Sequence, residues 1–185
     1  MKTHKFYAIF IISILMLALS ACNKVNDAIN VNVPLQMAEV DFTIPPMGVG
    51  EHDLATSTVY VHVDSILKAF NASAAVNNIK SVKIKSCTIS LLDDTVHPDD
   101  NFTSLTSFNV AMSSNNKTDW STVAILENTV IDPYFVNLPV DDKLELKDYF
   151  KGTTFLFRMH GKLKKAFLND VKCRANIKFD IEAGL

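Results

Sequence analysis

The chain has 185 residues, a formal net charge of -2 and 48% hydrophobic residues, which suits one ordinary globular domain. It contains 5 glycines, 6 prolines and 3 cysteines, so collagen, disordered tails and disulfide-dense miniproteins are excluded. The low glycine content also disfavours a glycine-rich phosphate-binding loop. We expect a domain of this length to fold without a structural metal.

Residues 1–21 have the three parts of a secretory signal peptide. Lys2 and Lys5 form a positively charged start, and an apolar run follows from Phe6 to Leu19. This run is shorter than the roughly 20 residues that a membrane-spanning helix needs. We therefore expect the segment to be a signal that is cleaved after export.

A cysteine follows the apolar run directly. The sequence Leu19-Ser20-Ala21-Cys22 resembles the lipobox of bacterial lipoprotein precursors. The resemblance implies that Cys22 is acylated and becomes the first residue of a small lipoprotein of the Bacteroidota type, anchored in the envelope, in the outer membrane. Surface and periplasmic display both stay open. Residues 22–30 are polar and predict a tether between the membrane and the domain.

The rest of the chain, residues 31–185, predicts a single β-rich domain. Apolar residues occupy every second position at 171–181 and at 155–163, with shorter alternating runs at 58–63, 108–112 and 123–125. A change of phase near Lys85 and Ser86 predicts a β-bulge, and Pro34 confines the first run to a sheet edge or bulge. Short helical turns are predicted at 64–70, where Asp64 would act as a cap, and at 146–150.

Seven or eight short strands separated by polar turns predict an all-β fold, an antiparallel β-sandwich of immunoglobulin-like or related type. A barrel is the alternative. The two alternating runs nearest the C-terminus are close in sequence. They are therefore predicted to pair as a hairpin through residues 164–170.

Positive charge is concentrated in this predicted hairpin. Residues 151–178 contain eight basic residues and one acidic residue, Asp170, a net charge of +7. A hairpin would bring most of the basic side chains to one outward face, which could bind an anion. Acidic neighbours on adjacent strands would neutralise that face instead. The candidate anion-binding residues are Arg158, Lys162, Lys164, Lys165, Lys172, Arg174 and Lys178.

Two further sets of residues are weaker candidates for chemistry. The loop at 93–101 holds four carboxylates, those of Asp93, Asp94, Asp99 and Asp100, which could bind calcium. Their spacing lacks the regular alternation of a calcium loop, and a solvated turn is the favoured interpretation. Cys87 and Cys173 occupy apolar positions of their strands. They would form a disulfide across the sandwich or remain free core thiols.

Three other features have mainly structural interpretations. The triplet Glu51-His52-Asp53 predicts an exposed turn before a strand. His62 and His160 fall at outward positions and are predicted to face solvent. The single tryptophan, Trp120, could stack on a sugar, but packing in the core or at a hinge is favoured.

The predicted function is binding without catalysis. The motifs G-x-S-x-G, H-E-x-x-H and C-x-x-C are absent, and no cofactor is expected. We expect an envelope-anchored module that recognises an anionic glycan, a lipid headgroup or an acidic protein partner through the basic hairpin. The alternative is a structural component of a surface complex or fibre, assembled through strand pairing. A metal-dependent enzyme is less favoured, and nucleic acid is disfavoured as a partner.

Overall fold

The structure is a computed structural model that describes residues 30–36, 39–92 and 99–184. The signal peptide, Cys22, Asp93 and Asp94 lie outside these ranges. The described residues form one short α-helix, α1 (Val63–Phe70), three 3₁₀ turns (Val76–Asn78, Phe102–Ser104 and Tyr149–Lys151) and nine strands: β1 (Asn30–Gln36), β2 (Val40–Ile44), β3 (Gly50–Tyr60), β4 (Ile79–Leu91), β5 (Leu105–Ser114), β6 (Ser121–Leu126), β7 (Phe135–Leu138), β8 (Thr154–Leu163) and β9 (Val171–Gly184).

The strands follow the alternation in the sequence. Along β8 and β9 every second side chain is buried, while the residues between them are exposed or half-buried. This is the pattern of a sheet with one face on a core and the other in solvent. The bulge predicted near Lys85 is confirmed, because the pairing of β4 with β9 changes register between Ile84 and Ser86.

The strands form two antiparallel sheets. One has the order β1-β9-β4-β7, with β2 pairing the part of β9 that β1 leaves free, and the other has the order β3-β8-β5-β6. Buried side chains from both sheets meet in one hydrophobic core. β1 contains Pro34 and pairs only with β9 among the described strands, which agrees with the predicted edge position.

The predicted antiparallel β-sandwich is confirmed, with a single short α-helix in the described part of the chain. With β1 and β2 counted as one interrupted strand, successive strands mostly alternate between the sheets in the order of a jelly roll. Within the described ranges, no helix has the length and apolar character needed to cross a membrane.

The predicted C-terminal hairpin is wrong. β8 pairs with β3 and β5, whereas β9 pairs with β1, β2 and β4. The connection at 164–170 therefore passes from one sheet to the other. β8 and β9 present their exposed residues on opposite faces of the sandwich.

The disulfide between Cys87 and Cys173 is not formed, and both thiols are free and buried. They lie in neighbouring strands of the same sheet, where Cys87 is opposite Ile177 and Cys173 is opposite Leu91. That offset of four residues separates them by about 13 Å along the strands, too far for a disulfide. Burial raises the pKa of each thiol to about 12.

Helix α1 starts one residue earlier than Asp64, the predicted cap. Its N-cap position is His62, with no side-chain cap hydrogen bond. Asp64 instead lies in the first turn, where it pairs with Lys68 and accepts a hydrogen bond from the Val76 N–H. Asp64 thus ties the helix to the segment that leads into β4.

Candidate binding site

The basic residues do not form one surface. Arg158 and Lys162 lie on the outer face of the four-stranded sheet, on β8. The three basic residues of β9, which are Lys172, Arg174 and Lys178, lie on the outer face of the other sheet. Lys164 and Lys165 lie in the connection between the sheets. The predicted basic face is therefore divided between two sides of the molecule.

Acidic neighbours hold part of this charge. Arg174 binds Asp41 through two hydrogen bonds of 2.6 and 3.0 Å and pairs with Glu39 at 2.8 Å. The hydrogen bond from Arg174 is the main cause that lowers the pKa of Asp41. Lys165 binds Asp99 at 2.6 Å. Arg174 and Asp41 are opposite each other on β9 and β2, so at this position the expected cross-strand neutralisation is confirmed. The pair of Lys165 and Asp99 joins two loops.

Lys178 lies beside a shallow depression of about 370 Å³ on the outer face of the five-stranded sheet. Lys85 lines the same depression, but it also pairs with Asp180 at 3.3 Å. Apolar atoms of Pro34 and Leu35 supply much of the remaining wall. Exposed lysine side chains of this kind are mobile point charges and do not define a ligand geometry.

The described carboxylates of the acidic loop have structural contacts. Asp100 is buried and accepts hydrogen bonds from the Leu168 N–H, the Asn169 N–H and the Asn169 side-chain amide, at 2.8–3.0 Å. Asp99 points to Lys165. Among the described residues, no group of three or more metal-ligating side chains is close enough to hold an ion.

A polar depression of about 380 Å³ lies on the outer face of the four-stranded sheet. We call it the Arg158 depression, and its lining residues are Asp53, Asn109, Ala111, Thr122, Arg158 and His160. They come from four adjacent strands. Arg158 and His160 are two residues apart on β8, so both side chains point outward about 7 Å from each other.

Strand pairing sets the order of these groups. Asp53 on β3 is opposite His160, which is opposite Asn109 on β5. Two residues away along the strands, Arg158 is opposite Ala111, which is opposite Thr122 on β6. Ala111 is only 5% exposed although it faces outward. A small side chain at this position leaves room for the depression above it.

The Arg158 guanidinium is held by an aromatic ring. Its central carbon lies 4.7 Å from the centroid of the Trp120 ring, a cation–π contact that restricts the side chain. Among the described residues, Arg158 has no carboxylate within ion-pair distance. Its N–H groups are therefore available in a fixed place beside polar side chains. Such an arginine suits bidentate binding of a carboxylate.

The other end of the depression carries an acceptor. His160 Nδ1 lies 3.1 Å from Asp53 Oδ1, and both side chains are partly exposed. The register of β3 with β8 shifts directly after Asp53, at the bulge that buries Leu54. Bulges often redirect side chains beside functional sites. The depression thus combines a cation, a neutral amide and hydroxyl, and a carboxylate.

Sequence reasoning identified some of these residues but not their combination. The alternation of apolar and polar residues along β8 correctly placed Arg158 and His160 outside the core. The predicted turn at Glu51-His52-Asp53 is part of β3, which brings Asp53 beside His160. Trp120 is 38% exposed on the sheet surface and does not pack in the core. Their meeting depends on which strands are neighbours and in what register, for which no local sequence signal exists.

No family model matches the chain, and no curated protein matches it at a significant level. Solved structures resemble it only at low identity and low TM-score. The VP2 subviral particle of infectious bursal disease virus has a TM-score of 0.39 and 8% identity over 84% of this chain and 33% of that chain. The decameric BFDV capsid protein has a TM-score of 0.38 and 8% identity, over 85% and 100% of the two chains.

A structure of FLHE has a TM-score of 0.36 and 9% identity over 83% of this chain and 98% of that chain. The chain spans only about a third of the viral protein's length, 32% in the Gx strain structure of infectious bursal disease virus. At these identities and TM-scores the likeness carries no argument about this chain. It assigns no ligand, partner or assembly to this chain.

Proposed function

We propose that the chain is a lipid-anchored binding module of the bacterial envelope that holds an acidic sugar in the Arg158 depression. The observation that supports it best is Arg158 itself, which stacks on Trp120 and has no acidic partner among the described residues. This single site replaces the basic hairpin as the candidate for anion recognition. The proposed role is binding without catalysis.

The lining side chains suit a ligand with one carboxylate and several hydroxyl groups. The guanidinium offers a planar pair of N–H donors to a carboxylate. Asn109 and Thr122 supply donors and acceptors for neutral hydroxyls, and the volume of about 380 Å³ matches the lower range of small-ligand sites. Asp53 can accept a hydrogen bond from a sugar hydroxyl at the opposite end.

Asp53 also distinguishes an acidic sugar from a ligand with a doubly charged phosphate group. A carboxylate in the same depression repels a second negative charge nearby. A uronic acid has one negative charge, which Arg158 would bind, and hydroxyl groups elsewhere. A ligand that places a second negative charge beside Asp53, as a doubly charged phosphate monoester would, is disfavoured for that reason.

Replacing Arg158 with methionine is expected to weaken binding of an oligogalacturonate by roughly 10- to 100-fold, the usual value of charge-assisted hydrogen bonds. Methionine keeps an unbranched side chain against Trp120 but removes the N–H donors. Arg158→Lys keeps the charge without the planar fork, so its affinity should lie between those of Arg158→Met and the unmodified chain. Isothermal titration calorimetry measures all three.

Arg174→Met is the matched control, because it removes an arginine from the outer face of the other sheet. It should leave affinity for the oligogalacturonate unchanged. The proposal fails if the unmodified chain does not bind the acidic oligosaccharide, or if Arg158→Met and Arg174→Met weaken binding equally. Equal weakening would indicate a response to net charge alone.

The anchor is a second part of the proposal and depends on the lipobox Leu19-Ser20-Ala21-Cys22. Two acyl chains hold a protein stably on a bilayer where one does not. We expect Cys22→Ser to abolish incorporation of labelled palmitate and to release the protein from the membrane fraction. Cys87→Ser should keep both. Acylation of the Cys22→Ser chain would contradict the lipobox assignment.

A further inference from the structure

Strand β3 forms one edge of the four-stranded sheet. It is 11 residues long, from Gly50 to Tyr60, and contains neither proline nor lysine. An edge strand presents backbone N–H and C=O groups that another strand can bind, and proteins usually block such edges with charge, proline or short length. The first half of β3 has such protection, with Glu51, Asp53 and the bulge after Asp53, but residues 55–60 have no charge, proline or bulge.

The other sheet edges in the described part of the chain are interrupted or covered. β6 is covered by a bridge between Ala124 and Val140 and by a hydrogen bond from the Ile125 N–H to the Pro139 carbonyl. β7 has four residues and β2 has five. β1 carries Pro34, which lacks an N–H. β3 is the longest edge strand among them.

The second half of β3 is suited to pairing with another strand. Residues 55–60, with the sequence Ala-Thr-Ser-Thr-Val-Tyr, carry no charge and are rich in β-branched side chains. Ala55 and Val59 pack on the core but remain half-buried, whereas Phe157 on the neighbouring β8 is fully buried. The core is therefore incompletely covered along this edge, and pairing with a further strand would cover these half-buried side chains.

The sequence of this segment is self-complementary in an antiparallel register centred on Thr58. In that register Thr58 is opposite Thr58 of the second copy, Thr56 is opposite Tyr60, and Ser57 is opposite Val59. Outward residues meet outward residues and inward residues meet inward residues, as a continuous sheet requires. Threonine pairs and aromatic pairs with β-branched residues stabilise antiparallel strands. No like charges face each other within residues 55–60.

Tyr60 gives a second reason to choose this register. Its side chain is 76% exposed on the outer face. Pairing opposite Thr56 of a second copy would cover part of the ring while its hydroxyl stays in water, an arrangement that suits tyrosine at interfaces.

We propose that two copies of the chain associate through antiparallel pairing of β3 and join their four-stranded sheets into one sheet of eight strands. The short paired segment makes this a weak dimer, because it buries less than the about 1,600 Å² of a standard interface. Both Arg158 depressions then open on one continuous face. The dimer does not depend on the ligand proposed above, but it would let a polymeric ligand engage two sites at once.

Opposite charges placed at Thr58 test the register directly. In full-length chain extracted from membranes, Thr58→Asp alone and Thr58→Lys alone should each weaken self-association by roughly tenfold or more, because each puts like charges opposite one another. Mixing the two variants should restore association. Thr58 is exposed, so neither substitution should disturb folding. Sedimentation and co-purification of differently tagged copies measure the effect.

Crosslinking provides an independent readout for a weak dimer. Thr58→Cys in the full-length chain should be joined into a dimer by a short thiol-specific crosslinker, since a residue opposite itself has its Cβ atoms about 5 Å apart. Thr43→Cys, at an exposed position on β2, should stay monomeric. The inference is overturned if Thr58→Cys crosslinks no better than Thr43→Cys, or if the Asp and Lys variants associate as the unmodified chain does.

Discussion

Replacing Phe150 with alanine is expected to lower the free energy of unfolding by about 3–5 kcal/mol. Phe150 is fully buried, and its ring centroid lies 5.1 Å from that of Phe155 and 4.9 Å from that of Phe179. Phe155 belongs to one sheet and Phe179 to the other. Phe150 therefore fills the space between the sheets, and its removal would leave a cavity that neither sheet can close alone.

The measurement is chemical denaturation at equilibrium, with thermal unfolding in parallel. A loss of this size should lower the melting temperature by roughly 10 °C for a domain of about 150 residues. Phe135→Ala, on the outer face of β7, is the control and should cost less than about 1 kcal/mol. Similar losses for both variants would show that Phe150 does not have the packing role assigned to it.

Asp100→Ala is expected to cost about 2–4 kcal/mol of stability. The Asp100 side chain is 2% exposed and accepts three hydrogen bonds from Leu168 and Asn169, which lie 68 and 69 positions away in the sequence. Alanine would leave backbone N–H groups of the 164–170 connection without their acceptor. Because the acceptor is charged, the loss exceeds that of an ordinary hydrogen bond.

The neighbouring residue supplies the control. Asp99 forms an exposed ion pair with Lys165, and such pairs contribute about 0–1 kcal/mol. Denaturation should therefore separate Asp100→Ala from Asp99→Ala by at least about 1 kcal/mol. Hydrogen exchange should show faster exchange of the Leu168 and Asn169 amides only in Asp100→Ala. Equal stability of the two variants would mean that Asp100 is not the acceptor that fixes this loop.

Local sequence pattern was sufficient where a feature depends on one strand. The alternation that defines β9 and the bulge after Ile84 were both predictable. Alternation of apolar and polar residues, and a shift in that alternation at a bulge, can be read from consecutive residues. The buried face of β8 followed in the same way. These predictions needed no knowledge of which strands become neighbours.

Strand partnership is where sequence reasoning failed. A connection of seven residues, 164–170, is compatible with a hairpin within one sheet or with a crossing between two sheets, because both leave the strands antiparallel and alternating. The hairpin assumption placed Arg158 and Arg174 on one face. In the jelly roll these two residues lie on opposite faces, which removed the predicted basic surface and left Arg158 as a separate site.

The Arg158 depression shows the same limit at the level of single contacts. The outward position of Arg158 follows from the alternation of residues along β8. Its contact with Trp120, however, requires β8, β5 and β6 to be adjacent in a particular register. The pairing of Asp53 with His160 depends on a bulge in β3. Both contacts join residues distant in sequence, so a single sequence gives no local signal for them.

The most direct test of the proposed site uses the fluorescence of Trp120, the single tryptophan of the chain. Titration with an oligogalacturonate should change this fluorescence in a saturable way, because a carboxylate bound by Arg158 alters the cation beside the ring. The methyl-esterified oligosaccharide, which has the same sugar backbone without the charge, should cause little change. Equal responses to both ligands, or no response to either, would contradict binding of an acidic sugar at Arg158.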